Sequence, residues 1–306
     1  MSAEKPEQNV VTGAFGYTGK YIAAQLLSKG IEVRTLTNHP QTQGSLAEQI
    51  SADPLDFENP GRLTEALRGA TTLYNTYWVR FNHRDVTFQK AVANTNTLIA
   101  AAKEAGVRKI AHISITNASL ESELPYFKGK GVVEQSVIES GVPYAIIRPA
   151  LIFGTEDILI NNIAWLLRRF PFFIIPGKGD CLVQPVYVDD LAALALDAAN
   201  SDGNLVLDAV GPEIYTLEEL VRLIAQVVES QPKLVRLPPW VALLGSKLLG
   251  LLVRDVLLTK DEVDGLLSNL LVTAGPATAA KKLSDWLGQN ASQVGSRYAS
   301  ELSRHY

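Results

Sequence analysis

Short apolar runs, rich in β-branched residues, alternate with helical stretches through the first two thirds of the chain. The stretches between the runs predict helices that begin near Tyr17, Gly61, Asp85 and Pro125. The runs themselves predict strands at Asn9–Thr12, Ile31–Thr37, Gln49–Ala52, Thr72–Thr76, Lys109–Ser114 and Pro143–Arg148. They are continuously apolar rather than strictly alternating, as is typical of strands covered on both faces. The pattern therefore favours βαβ units and a parallel sheet between layers of helices.

The regular alternation of predicted strands and helices ends after Gly154. Residues 160–170 predict a helix, and residues 171–180 (PFFIIPGKGD) predict a loop because their Pro and Gly residues are typical of turns. Val186–Val188 then leads into Asp189, which we predict to be the N-cap of an alanine-rich helix.

The last third of the pattern is mainly helical. One more strand is predicted at Asn204–Ala209. From Thr216 the pattern is helical, because Thr216 and Glu219 have the spacing of a capping box.

Composition and charge exclude several classes of protein. The 306 residues carry a net charge of -4 without a long run of Lys and Arg, which argues against a nucleic-acid partner. Cys181 is the only cysteine, which excludes an intrachain disulfide, a cysteine-rich zinc site and an iron–sulfur cluster. The first residues, MSAEKPEQN, lack the apolar core of a secretory signal. The four histidines show no metal-ligand spacing, so we expect no metal. The single cysteine fits a reducing compartment, and we expect a cytoplasmic location.

The most apolar segment is Trp240–Val253, which Lys247 interrupts. It is too short to span a bilayer, so no transmembrane segment is expected. We interpret it as a packed helix rather than a helix on a membrane surface. Exposed apolar helices also suggest either a homodimer or a lipid-like substrate.

A glycine array follows the first predicted strand and opens the first helix. In VTGAFGYTGK, Gly13 allows a tight turn, Gly16 lets the backbone approach a pyrophosphate, and Gly19 lets helix and strand pack closely. The N-terminus of the helix presents N–H groups and a positive dipole end to phosphate. The alternative is that these glycines only shape a turn. The array within a βαβ context predicts a dinucleotide site, whose loop residues also include Phe15, Tyr17 and Thr18.

These observations together predict a Rossmann-type α/β fold, a doubly wound parallel sheet with a smaller, mainly helical C-terminal capping lobe. The Rossmann domain is expected at residues 1–212, with the segment at about 155–180 contributing to the cap. The capping lobe is expected at residues 213–306.

The end of the second strand indicates which nicotinamide dinucleotide binds. Many NAD sites have an acidic residue there, which bonds the adenosine ribose. Here the sequence has no carboxylate between Glu32 and Glu48, which favours NADP over NAD. The candidate donors to a 2′-phosphate are Thr37, Asn38 and His39. Further candidate contacts are Asp56 for the adenine amine, and Asn75 and Thr76 for the ribose or nicotinamide, with loop or strand-end capping as the alternative for all three.

Ser114, Tyr126 and Lys130 form the candidate catalytic set. Ser114 ends the fifth strand, and Tyr126 and Lys130 lie four residues apart on one face of the helix that follows. Gly129 and Gly131 flank the lysine, although a glycine inside a helix costs roughly 1 kcal/mol relative to alanine. These glycines permit close packing of the helix either against a cofactor or against a neighbouring helix.

The chain resembles the short-chain dehydrogenase/reductase superfamily in the TGAFGYTG array, Ser114, the YFKGK segment and the IRPALIFG run at residues 147–154. The segments NTYWVRF and LTKDEVDGLL are similar to the atypical branch related to the nucleotide-binding accessory subunit of respiratory complex I. The resemblance implies that Tyr126 exchanges a proton with a substrate oxygen. It also implies that Lys130 favours the phenolate and bonds the nicotinamide ribose, and that Ser114 holds the substrate oxygen.

The leading hypothesis is an NAD(P)-dependent oxidoreductase acting on a carbonyl or alcohol. Aromatic residues after the fourth strand either form a wall for the substrate or fill the pocket, and the second possibility favours a non-catalytic NAD(P)H-binding sensor or assembly protein. A sugar-nucleotide epimerase or dehydratase is the other alternative. The candidate substrate contacts are Tyr77, Trp78, Phe81, Phe153 and Asn162.

Overall fold

The computed structural model describes residues 7–38 and 45–302 and divides the chain into two compact units. The first unit comprises residues 1–149 and 188–208, and the second comprises residues 150–187 and 209–306, within each of which only the described residues are discussed. Residues 155–180, predicted to join the cap, belong to the second unit. The predicted domain boundary after residue 212 lies close to the last crossing of the chain between the units, after residue 208.

A central parallel sheet of seven strands forms the middle layer in the described part of the first unit. The sheet strands are β1 (Gln8–Thr12), β2 (Glu32–Thr37), β3 (Ser51–Pro54), β4 (Thr72–Asn75), β5 (Lys109–Ile113), β6 (Tyr144–Pro149) and β11 (Leu205–Ala209). Their order across the sheet is β11-β6-β5-β4-β1-β2-β3. The chain runs outward from β1 through β2 to β3 and then returns to the other side of β1 at β4. This reversal between β1 and β4 is the switch point at which doubly wound sheets bind ligands.

Five helices cover the sheet within the described residues of the first unit. They are α1 (Tyr17–Ser28), α2 (Pro60–Leu67), α3 (Phe88–Ala105), α4 (Pro125–Glu139) and α6 (Val188–Asn200). Helices α1 and α6 pack together, whereas α2, α3 and α4 pack in sequence and enclose a core of aliphatic side chains. The predicted fold class is therefore confirmed.

The second unit contains short strands and five further helices in its described residues. Its strands are β7 (Ile152–Phe153), β8 (Phe172–Pro176), β9 (Leu182–Val183), β10 (Val186–Tyr187), β12 (Tyr215–Thr216) and β13 (Lys233–Leu237). Its helices are α5 (Leu159–Leu167), α7 (Leu217–Val227), α8 (Pro239–Val253), α9 (Lys260–Leu267) and α10 (Leu283–Gln289). A core of its own, built largely from α5, α7 and α10, holds the unit together.

Three sequence expectations need correction. The loop predicted at residues 171–180 contains β8, which pairs in parallel with β13 about sixty residues later. Strand β13 falls in the stretch from Thr216 onward that was predicted to be helical. Asp189 is not an N-cap, because α6 begins at Val188 and places Asp189 in its first turn. The predicted capping box of Thr216 and Glu219 is confirmed at the start of α7.

Candidate functional site

The glycine loop connects β1 to α1 through a tight turn. Gly13 has φ +63°, a left-handed conformation that favours glycine, and its N–H donates to the carbonyl of Leu36 at 2.8 Å. A Cβ at Gly19 would lie 2.2 Å from the carbonyl oxygen of Gly13, so this position has no room for a side chain. The roles predicted for these two glycines, a tight turn and close packing, match the geometry.

The N-terminus of α1 is suited to an anion. Gly16 occupies the N-cap in an extended conformation and has no side chain to cap the helix. The first turn, Tyr17-Thr18-Gly19-Lys20, contains no acid. The first N–H groups of a helix lack partners within the helix, and the macrodipole is positive there. Phe15, Tyr17 and Thr18 are half-buried beside this end of the helix.

Thr35 fixes the glycine loop to β2, and the sequence interpretation missed it. Its buried hydroxyl donates to the carbonyl of Val11 at 2.8 Å and accepts from the N–H of Ala14 at 3.0 Å. The sequence carries no clear signal for it, because three other residues of the same strand are also polar, namely Glu32, Arg34 and Thr37. Thr35 holds the turn without contributing to the surface of the site.

A hydrogen-bond network joins β1 to β4 at the switch point. The Thr12 hydroxyl accepts from the backbone N–H groups of Thr76 at 2.8 Å and Tyr77 at 3.1 Å. The fully buried Asn75 amide lies 3.1 Å from His112 Nδ1, and its oxygen accepts from the N–H of Tyr77. Asn75 and Thr76, which also donates to the Thr12 carbonyl at 2.5 Å, thus use their side chains to join strand ends.

The end of β2 lies beside the loop that follows β3. Thr37 is buried, and Asn38 is exposed. His39 lies outside the described residues. Asp56 accepts from the N–H of Glu58 at 3.2 Å, so its carboxylate caps a turn in this structure.

Lys130 is an enclosed cation on α4. Its Nζ donates to the carbonyl of Ile113 at 2.9 Å and lies 4.7 Å from the centre of the Trp78 ring. Burial lowers the pKa of Lys130 to about 7, against an opposing attraction to the Glu134 carboxylate. Burial and the nearby Lys130 also hold the pKa of the buried His112 well below its ordinary range.

Ser114 is bonded to a buried carboxylate that the sequence interpretation did not single out. Its hydroxyl donates to Glu134, which also forms an ion pair with Arg148. The Nε of Arg148 lies 2.9 Å from one oxygen of Glu134, and this bond raises the pKa of the guanidinium. Glu134 lies one turn after Lys130 on the inward face of α4, where a charged residue interrupts the apolar spacing of Phe127 and Val137. That interruption was the available signal.

The aromatic residues after β4 pack closely around α4. Trp78 stacks on Phe88 at 6.1 Å between ring centres and meets Tyr126 edge-on at 6.0 Å. Tyr77 contacts Phe57, and its hydroxyl accepts from Asn94 at 2.9 Å. Phe81 is buried and contacts His83.

These aromatic rings pack against one another beside α4 and do not form an open wall for a substrate. Tyr126 belongs to the same cluster and is half-buried. The structure therefore brings Tyr126, Lys130 and Trp78 together on one side of α4, while Ser114 contacts Glu134 of the same helix.

The other two candidate substrate residues lie in the second unit, where each has a structural role. Phe153 is fully buried, and its ring lies 5.6 Å from that of Trp286. The Asn162 amide forms two hydrogen bonds with the backbone of Ala299, of 3.0 and 2.9 Å. Both side chains are engaged within the core of this unit.

The glycine loop and the strands around it match a known family. Residues 13–158 fit the NAD(P)H-binding family model. This part of the chain is similar to NAD(P)H-binding domains. In sheets of this kind the dinucleotide phosphates bind at the position that the glycine loop occupies here. The resemblance to the short-chain dehydrogenase/reductase superfamily and its atypical branch is confirmed by this match and by the two curated relatives described next.

Two curated relatives bear the name NADH dehydrogenase [ubiquinone] 1 alpha subcomplex subunit 9, mitochondrial. The Arabidopsis thaliana protein is 26% identical over 243 residues, which cover 74% of this chain and 60% of that protein. The Rattus norvegicus protein is 29% identical over 280 residues, which cover 87% of this chain and 73% of that protein. The chain therefore spans less than two thirds of the plant relative.

One similar solved structure is an NADPH-dependent quinone oxidoreductase from Escherichia coli in complex with NADPH. Its TM-score is 0.72 at 23% sequence identity, over 92% of this chain and 98% of that one. This likeness supports the fold.

Proposed function

We propose that the protein is an NAD(P)H-dependent oxidoreductase of the atypical short-chain type, acting on a carbonyl or alcohol. Bound nicotinamide would supply or accept hydride in this reaction. The Tyr126 hydroxyl would exchange a proton with the substrate oxygen, and the charge of Lys130 would favour the phenolate. Quinones are the first carbonyl class to examine, because the similar Escherichia coli structure is a quinone oxidoreductase.

The observation that carries the proposal is the buried Lys130. Its side chain is enclosed at the end of β5, in the domain that binds NAD(P)H, one helical turn from Tyr126. Lysine is almost never fully buried unless it is paired. Its neighbouring carboxylate, Glu134, is already bonded to Ser114 and Arg148. Burial of a charged amine is energetically unfavourable, so a buried lysine at this position fits a catalytic role better than a structural one.

NADP is the preferred cofactor in this proposal. The end of β2 has no carboxylate to repel a 2′-phosphate, and Asn38 is exposed there as a donor. The cytoplasm is the proposed location, and the buried free thiol of Cys181 is compatible with a reducing compartment. The relatives carry a mitochondrial name.

NADPH oxidation, followed at 340 nm with a panel of quinones, aldehydes and ketones, tests the proposal. Wild type is expected to turn over at least one member of the panel. Tyr126→Phe is expected to reduce kcat by about 10²-fold or more while NADPH still binds, because only the proton-transferring hydroxyl is removed. Tyr144→Phe, at the opposite end of the sheet, is the matched control. Equal rates in wild type and Tyr126→Phe would contradict the role of Tyr126.

A second candidate, a non-catalytic NAD(P)H-binding protein, is favoured by two contacts. The hydroxyl proton of Ser114 is donated to Glu134, so the serine must turn away before it can donate to a carbonyl. The Trp78 ring covers Lys130, which also bonds Ile113. Under this candidate NADPH would bind tightly to wild type, yet no substrate of the panel would increase its oxidation.

A further inference from the structure

Helix α8 presents an apolar face outward. Trp240, Leu244, Leu248 and Leu251 retain between 52% and 78% of their accessible surface. At about 100° per residue these positions fall within an arc of roughly 80° on the helix. Large exposed apolar patches mark interaction sites.

The inward face of α8 is already occupied within the second unit. Ala242 is buried, and the open side of Gly245 faces Ile174 of β8. The sequence interpretation of a packed helix thus holds for one face only. The outward face is a separate feature and is not needed to complete this core.

The charged residues in the stretch of sequence that contains α8 are all positive. From Gln231 to Arg254 the sequence contains Lys233, Arg236, Lys247 and Arg254 and no acid, although the whole chain has a net charge of -4. Lys233, Lys247 and Arg254 are exposed, whereas Arg236 forms an ion pair with Glu218.

The nearest following acid does not offset these cations at the surface. Asp255 is buried, and its carboxylate accepts from the Tyr298 hydroxyl and from the N–H groups of Glu301 and Leu302. Lys247 of α8 and Arg254 at its C-cap therefore lie beside the apolar stripe, which carries Trp240 near its first turn. This combination is typical of helices that lie in the interface of a membrane.

We propose that the outward face of α8 docks the protein onto the surface of an anionic lipid bilayer. The four apolar side chains would enter the boundary between headgroups and acyl chains, and the flanking cations would contact lipid phosphates. None of the helices in the described part of the chain has the length and hydropathy needed to cross a membrane, so α8 would lie on the surface.

Charge argues against a second copy of the chain as the occupant. In a two-fold dimer the same patch meets itself, so Lys247 and Arg254 of one copy would approach those of the other. Like charges brought together across an interface oppose association. An anionic bilayer supplies both the apolar phase and the opposite charge.

Co-sedimentation of the full chain with phosphatidylcholine vesicles, with and without phosphatidylglycerol, tests the proposal. Wild type is expected to bind the anionic vesicles and to bind them more weakly as salt is added. The double variant Leu244→Ser/Leu248→Ser should bind about tenfold more weakly or worse, because it removes apolar surface that would be buried. Lys247→Gln/Arg254→Gln should reduce the preference for anionic lipid without changing the apolar face.

Leu120→Ser/Ile214→Ser is the matched control, since both side chains are exposed and neither belongs to α8. It should bind vesicles as wild type does. The proposal is overturned if wild type does not sediment with anionic vesicles, or if the α8 serine variant sediments equally well. A dimer that the serine variant abolishes, without vesicle binding, would assign the face to a second copy. If wild type neither binds vesicles nor forms a dimer, the proposal is wrong and a different protein would be the partner of this face.

Discussion

At the scale of single residues, the sequence predicts the pair Tyr126 and Lys130 but not the contacts that surround them. Tyr126 and Lys130 are recognisable because a helix brings positions four apart onto one face. The sequence does not reveal that Lys130 is buried or that Ser114 bonds Glu134, because both features depend on side chains from several elements. The spacing therefore predicted which residues share a helix face, but not which of them already have partners.

The lowered pKa of Lys130 predicts an unusual pH dependence of stability. The pKa rises from about 7 in the folded state to 10.5 on unfolding. Below pH 7 both states are protonated, and the buried charge destabilises the fold in full. Between these two values the unfolded state binds more protons, so the stability of the fold rises with pH.

Lys130→Met should remove the contribution of this lysine to the pH dependence of stability, because methionine does not titrate. The free energy of unfolding of wild type relative to the variant should rise by up to about 1.4 kcal/mol per pH unit between about pH 7.5 and 9.5. Urea unfolding at a series of pH values measures it. Lys128→Met, exposed on the same helix, is the control and should show no such slope relative to wild type. A constant difference for Lys130→Met would mean that the lysine is solvated.

Glu134→Gln tests the buried carboxylate. The variant keeps the size of the side chain but leaves Arg148 without its ion pair, so we expect a loss of about 1–3 kcal/mol of unfolding free energy. Glu139→Gln, on the exposed end of α4, should change stability by less than about 0.5 kcal/mol. Equal losses in the two variants, measured by urea unfolding, would show that the network contributes nothing specific.

At the scale of elements, the sequence predicted a strand at each place in the central sheet, mostly from short apolar runs between turn signals. The least accurate prediction was Gln49–Ala52, which shares only two residues with β3. The sequence did not predict β8, because Pro171 before the strand and Pro176 at its end indicated a loop. The pairing of β8 with β13 is a contact between distant parts of the sequence. Local propensity carries no information about such a partner, so both strands were missed together.

The glycines of α4 now have a structural explanation. A Cβ at Gly131 would lie 2.6 Å from the backbone of Ser119, and a Cβ at Gly129 would lie 3.0 Å from the Trp78 ring. Both contacts are within the first unit. The closest neighbours that these glycines permit are therefore the loop before α4 and an aromatic side chain. A Cβ at Gly129 would also lie 3.6 Å from Val92 of α3, so the predicted packing against a neighbouring helix contributes at this position.

Alanine substitutions in the two positions should have unequal effects. Gly131→Ala meets backbone that cannot move freely, so we expect a loss of about 1–3 kcal/mol despite better helix propensity. Gly129→Ala meets a side chain that can shift, and the change should stay within about 1 kcal/mol. Gly288→Ala in α10 meets nothing within 4 Å and should stabilise by up to about 1 kcal/mol. Thermal or urea unfolding measures all three, and a more harmful change at 129 than at 131 would contradict the geometry.

At the scale of the whole molecule, the division into two units gives cofactor binding a predictable thermodynamic effect. The glycine loop lies in the first unit, which the chain leaves and re-enters once. A ligand that binds only the folded state stabilises it in proportion to the logarithm of its concentration. NADPH should therefore raise the melting temperature of wild type, and if the units melt separately only the transition of the first unit should shift.

Gly16→Asp and Gly16→Asn separate charge from shape in this experiment. Gly16 has φ -81° and ψ 177°, which any residue adopts, and both new side chains are good N-caps for α1. A Cβ there lies 3.2 Å from the Gly13 oxygen, an equally tight fit for both variants. Asp places a negative charge where phosphate is expected, so its affinity for NADPH should be at least about tenfold below that of Asn. Equal NADPH-induced shifts in the two variants would place the dinucleotide phosphates away from the N-terminus of α1.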